Sequence, residues 1–164
     1  EIYDRLVGSE MCIRDMFKLK KKPDILILEG WCVGAKPEGG RSLNRPINVL
    51  EKNADKKKIW RSYVNNQLKS KYSKLFDQLD SLLYLKAKNF RLLKRWRLKQ
   101  EKKLKMKSGT KKNSKIMNEK EVETFMMTYQ RITQNMFKNA PKYFSAVIDL
   151  NENHQIKKVK FKNA

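Results

Sequence analysis

The chain has 164 residues, 39 of them Lys or Arg against 17 Asp or Glu, for a net charge of +22 with 40% hydrophobic residues. That length suits one domain, and the apolar content is enough for a packed core, so wholesale disorder is excluded. No apolar run approaches the roughly 20 residues that span a bilayer, and two cysteines with one histidine leave no material for a disulfide framework, a zinc site or a histidine-based triad.

The first fifteen residues, EIYDRLVGSEMCIRD, carry neither a helical nor a strand period. VGSEMCIRD resembles translated sequencing-adapter DNA, so segment 1–15 is read as non-native and left out of the fold. On that reading the native sequence is a C-terminal piece of a longer chain. Residues 24–29 (DILILE) form a continuous apolar run stopped by Gly30, which predicts a strand buried on both faces of a parallel sheet. Trp31 to Pro46 is rich in Gly, Pro, Arg and Asn and reads as a long loop.

From Ile59 to Leu79, apolar residues at Trp60, Val64, Leu68, Tyr72, Leu75 and Leu79 follow a helical period. Residues 81–87 read as a second strand, and Asn89 is placed to cap a helix running to Lys107. SGTKKNS (108–114) breaks the pattern as a mobile connector. Asn118 and Glu121 have capping-box spacing ahead of a helix with the stripe Val122, Phe125, Met126, Tyr129, Ile132, Met136 and Phe137, closed by Pro141. Residues 144–150 read as a third strand, and Asn151-Glu152-Asn153 as a turn before Val159 and Phe161, which alternate with Lys. Strands separated by helices predict an α/β fold with a mostly parallel sheet.

In such sheets ligands bind at the carboxyl ends of the strands. Glu29 stands at such an end, where a carboxylate can accept a proton from a substrate hydroxyl or orient a metal-bound water; the alternative is a solvated strand-end Glu. GAKPEGGRS (34–42) fails as a phosphate loop, because its best register puts Arg41 where Lys belongs and Pro46 follows instead of a helix. Arg91, Arg95, Arg97 and Gln100 share a helix beside the connector, where arginines can close over phosphates or simply form a solvated face. Arg131 lies well off the apolar stripe of its helix. Cys32 reads as a small buried apolar residue. Of the basic residues 30 are Lys and only 9 Arg, which fits a dispersed solvated surface better than an arginine-based reader of nucleic acid.

Five ordered blocks carry a resemblance: DILILEGWCVGAKP (24–37), LNRPINVLEKNADKKKIWRSYVNNQL (43–68), WRLKQEKKL (96–104), TYQRIT (128–133) and DLNENH (149–154). Together they resemble the plant-type D-glycerate 3-kinases and their bacterial relatives, in the phosphoribulokinase/uridine kinase group of P-loop kinases. The resemblance implies the C-terminal part of such a kinase, with its phosphate loop absent from this sequence and a lid around 88–117. It implies ATP and Mg²⁺, a small anionic hydroxy-acid substrate, no specific nucleic acid, no membrane and a cytoplasmic setting. Residue by residue, it implies Glu29 facing the reacting hydroxyl, Arg97 with Gln100 on the nucleotide side of the lid, and Arg131 toward the substrate. Arg41 and Arg45 are candidate contacts for the acceptor's anion. A basic nucleic-acid-binding module and a catalytically inactive kinase-like protein are the competing readings.

Overall fold

A computed structural model describes residues 21–108 and 116–162. The segment expected to be non-native (1–15), and all but the first residue of the expected connector (108–114), lie outside them. Helices α1 (Val49–Ala54), α2 (Ile59–Lys69) and α3 (Lys71–Phe76) precede strand β1 (Leu83–Lys86). The long helices α4 (Phe90–Ser108) and α5 (Glu119–Asn139) come next, then β2 (Ala146–Leu150) and β3 (Ile156–Phe161).

The fold is mixed α/β, with a three-stranded sheet in the order β1-β2-β3. β1 runs parallel to β2, whereas β2 and β3 are antiparallel, so the expected mostly parallel sheet is corrected to one pair of each kind. The reason is local. The Asn151 side-chain oxygen accepts from the backbone N–H of Asn153 and of Gln155, both at 2.9 Å, closing a tight turn. A turn that short can only return the chain antiparallel.

The run at 24–29 is also corrected. Residues 25–30 have no regular secondary structure, and Ile25, Leu26 and Ile27 are 80%, 84% and 85% exposed. A doubly buried strand needs paired neighbours at both edges and helices on both faces, and the described residues bring none to it.

The helical period over 59–79 resolves into two helices broken at Ser70, whose N–H bonds back to the carbonyls of Asn66 and Gln67. Of the six apolar positions read there, Leu68 is buried, while Trp60 and Tyr72 are exposed. Two helix starts follow the sequence closely: Asn89 accepts from the N–H of Leu92 at 3.0 Å, and Asn118 with Glu121 makes a complete capping box. The core lies where α2 and α5 meet the sheet. Leu68, Tyr84, Met136, Phe144 and Val147 form it, with Tyr84 and Phe144 ring centroids 5.2 Å apart. Gly34 closes one side at φ +77°, its Cα so near Phe144 and Leu82 that a Cβ would collide.

Candidate functional site

Helix α5 is the spine of the site because loop 31–48 is bonded along its length. Trp31 stacks on Tyr129 with centroids 5.0 Å apart and donates its indole N–H to the Thr133 hydroxyl at 3.2 Å. Asn135 donates to the Lys36 carbonyl at 2.8 Å. Asn48, the N-cap of α1, donates to the Met127 carbonyl at 2.9 Å and to the Gln130 side chain at 3.1 Å. Two blocks nearly a hundred residues apart in sequence, EGWCVGAKP and TYQRIT, are thus one packed unit.

Arg131 is the centre of that unit. Its Nε and Nη2 donate to the two carboxylate oxygens of Glu51 at 2.7 and 2.6 Å. Nη1 donates to Glu38 at 3.1 Å and to the Ser42 carbonyl at 3.2 Å, and Nη2 also donates to the Arg45 carbonyl at 2.7 Å. All five N–H groups of the guanidinium are therefore matched within the chain. Burial by itself would raise the Glu51 carboxyl, but the hydrogen bonds from Arg131 and the Ile47 N–H outweigh it and hold it below the ordinary value. Its bonds to Glu51 push Arg131 upward in turn, so both stay charged. A second buried pair braces the same loop: Arg61 donates to the Leu43 carbonyl at 2.8 Å and to Asp55 at 3.2 Å. A cavity of about 430 Å³ separates the two pairs, walled by Leu50, Val64, Leu68 and Ile132.

Arg97 faces the same helix from α4. Its guanidinium lies over the Phe125 ring, 5.3 Å from the centroid, and donates to Gln100 at 2.8 Å and to Glu101. Glu101 is buried, and its second oxygen accepts from the N–H of Met117 at 3.0 Å, which ties α4 to the start of α5. Arg97 Nε is buried with no partner among the described residues. Lys94 pairs with Glu123 at 2.7 Å. On the other side of α4, Trp96 packs on His154 with centroids 4.2 Å apart and donates to the Glu152 carbonyl at 3.0 Å, while Arg95 pairs with Glu152 at 3.3 Å.

The sequence-derived residues are distributed as follows. Glu29 is exposed, two residues before Trp31. Trp31 and Arg97 both lie against Phe125, at 6.4 and 5.3 Å, so the turn that follows Glu29 and the α4 arginine are anchored to one stretch of α5. Gln100 is exposed beside Arg97. Arg41 and Arg45 are exposed on the loop that Arg131 clamps. Arg131 itself is buried, and its donors serve the chain where the resemblance implies a substrate. Cys32 packs against the core, and burial pushes its thiol up to about 11. Sequence reading missed Glu38, Glu51 and Glu101 as the counter-charges of the two arginines. Glu101 stands at i+4 from Arg97, a spacing that could have revealed it, whereas nothing local links Glu38 or Glu51 to Arg131.

Among the described residues, no group of three His, Cys, Asp or Glu side chains is placed to hold a cation. The segment rejected as a phosphate loop leads into a single 3-10 turn at Ser42–Asn44. The described residues therefore do not fit Mg²⁺ by themselves. No helix among them is long and apolar enough to cross a membrane.

No protein-family model matches the chain. It is 33% identical over 110 residues to an uncharacterized kinase of Schizosaccharomyces pombe, mug58, covering 66% of this chain and 36% of that protein. In structure it matches the D-glycerate 3-kinase of Cryptococcus neoformans with a TM-score of 0.64 at 21% identity, over 88% of this chain and 52% of the other. The chain thus spans about a third of the one and half of the other. In sequence the chain is therefore similar to part of a kinase, and it shares its fold with about half of a D-glycerate 3-kinase.

Proposed function

We propose that the chain is part of an ATP-dependent kinase that phosphorylates a hydroxyl of a small hydroxy acid, D-glycerate being the acceptor the resemblance favours. The observation that carries this reading is the anchoring of Trp31 and Arg97 to Phe125, which gives the Glu29 block and the lid a common base. In the reaction, the bond from the γ-phosphorus to its bridging oxygen breaks as a new one forms to the acceptor oxygen, and the acceptor's proton leaves. Glu29 takes that proton. Arg97, with Gln100 beside it, meets the charge on the transferring phosphoryl group. Arg41 and Arg45 attract the acceptor's carboxylate, and Arg131 acts through them by fixing their loop. Magnesium would supply charge neutralisation with the nucleotide when bound.

The test is ATP-dependent phosphorylation of D-glycerate by the chain alone and by a longer form carrying a phosphate loop. The chain alone is expected to be inactive and the longer form active. In the longer form, Glu29→Gln and Arg97→Ala should each lower kcat by about 10²-fold or more, in line with losing one preorganised group, with smaller effects on acceptor KM. Turnover by the chain alone, or near-normal kcat in both variants, overturns the assignment.

A further inference from the structure

The cavity of about 430 Å³ between the Arg131–Glu51 and Arg61–Asp55 pairs has no part in the kinase reading. It is nearly three times the size of the cavity of about 150 Å³ that suffices to take up benzene. Leu50, Val64, Leu68 and Ile132 give it a largely apolar wall. Lys36, its side chain 43% exposed, and Trp60, 68% exposed, bring it within reach of solvent. The two arginines that line it differ in what they have left to give. Arg131 has all five donors matched. Arg61 spends three: Nε on the Leu43 carbonyl at 2.8 Å, and Nη1 on the Asp55 carbonyl at 2.9 Å and the Asp55 carboxylate at 3.2 Å. Its Nη2 makes no hydrogen bond among the described residues, although the side chain is only 5% exposed. A charged donor held that far from water wants an acceptor.

We propose that this cavity binds a small amphipathic carboxylate, with its apolar body against the four aliphatic side chains and its head on Nη2 of Arg61. An apolar wall with one convergent polar group is the ordinary make-up of a small-molecule site. Charge selects the head. In the lining, Lys36, Arg61 and Arg131 balance Glu38, Glu51 and Asp55, so a carboxylate meets no net local repulsion. The field of a chain at +22 draws anions and repels a cationic head. The ligand is distinct from the acceptor, because the hydroxyls of a glycerate would face aliphatic groups that offer them no hydrogen bond. Lys36 and Glu38 carry loop 31–48 along the cavity, so an occupant also steadies that loop. The inference rests on the cavity and Arg61 and stands apart from the kinase reading.

The experiment is calorimetric titration of the full chain with sodium octanoate in about 0.5 M NaCl, where diffuse attraction to the basic surface is screened. One octanoate per chain is expected, with Kd below about 1 mM. 1-Octanol, with the same body and no carboxylate, should bind at least about tenfold more weakly, a difference that one charge-assisted hydrogen bond supplies. Arg61→Lys should remove that preference. Val64→Trp, at a wall position that is 37% exposed, should fill the cavity and weaken both ligands while leaving the unfolding midpoint in place. It keeps the test decisive even if Arg61→Lys fails to fold. No binding, octanol bound as tightly as octanoate, or indifference to Val64→Trp would each overturn the proposal. Displacement of octanoate by D-glycerate would overturn it too, by making the cavity part of the acceptor's site. Octanoate binding in a chain whose longer form phosphorylates nothing would count against the kinase reading alone.

Discussion

At the scale of single residues, Arg131 decides how loop 31–48 is held. Its five donors meet two carboxylates and two carbonyls in a site where its side chain is only 9% exposed. Removing one member of such a buried cluster leaves uncompensated charge, which costs about 3–5 kcal/mol. Arg131→Ala should therefore lower the unfolding free energy by about 3 kcal/mol in urea titrations. Arg131→Lys should recover only part of it, since an ammonium has three donors where the guanidinium has five. Glu51 adds a pH signature. Its carboxyl sits below its ordinary value in the folded chain, so its stabilisation is complete above the ordinary glutamate range, about 4.3. That stabilisation is lost as the pH falls through that range toward the folded value. The melting temperature should drop steeply between about pH 5 and 3, and Glu51→Gln should flatten that slope. An unchanged slope in the variant would locate the acid sensitivity elsewhere.

At the scale of elements, α4 and α5 are joined by side chains on both sides of residues 109–115. Glu101 reaches the Met117 N–H, Arg97 reaches Phe125, and Lys94 reaches Glu123. The exposed Lys94 pair contributes little, of the order of 0–1 kcal/mol, so the buried Glu101 contact is the stronger tie. The capping box on α5 is a separable contribution. Asn118→Ala should cost about 1 kcal/mol by thermal unfolding, because the Glu121 N–H then loses its acceptor at the head of a 21-residue helix. A neutral result would mean that tertiary packing, and not the cap, fixes where α5 starts.

At the scale of the whole molecule, stability is uneven. α5 contacts loop 31–48, α1 and α4, and its Val122 and Met126 are almost fully buried, whereas residues 25–30 have no regular structure and little burial. Amide exchange should accordingly be slowest in the middle of α5 and fastest at 25–30, with limited proteolysis cutting the latter first. Comparable protection in the two segments would contradict this picture. Much of this plan was legible: both long helices, their caps, the strands at β1 and β2 and the turn at 151–153 are local patterns. The candidate site divides by distance in sequence. Arg97 and Glu29 belong to recognisable blocks, but the partners of Arg131 lie 80 to 93 residues away in sequence, where no period or spacing can point to them.

The sequence by itself determined what depends on neighbours a few residues apart: where the two long helices begin and which stripe of α5 is apolar. Tertiary structure alone decided the rest. Hydropathy marked Ile25–Leu28 as a segment suited to burial, but burial needs a partner, and the described fold brings it none. Arg131 reads in sequence as one more cation on a chain of charge +22. It is the packing of Glu38 and Glu51 around it that makes it a buried clamp, because a guanidinium leaves water only where every donor finds an acceptor.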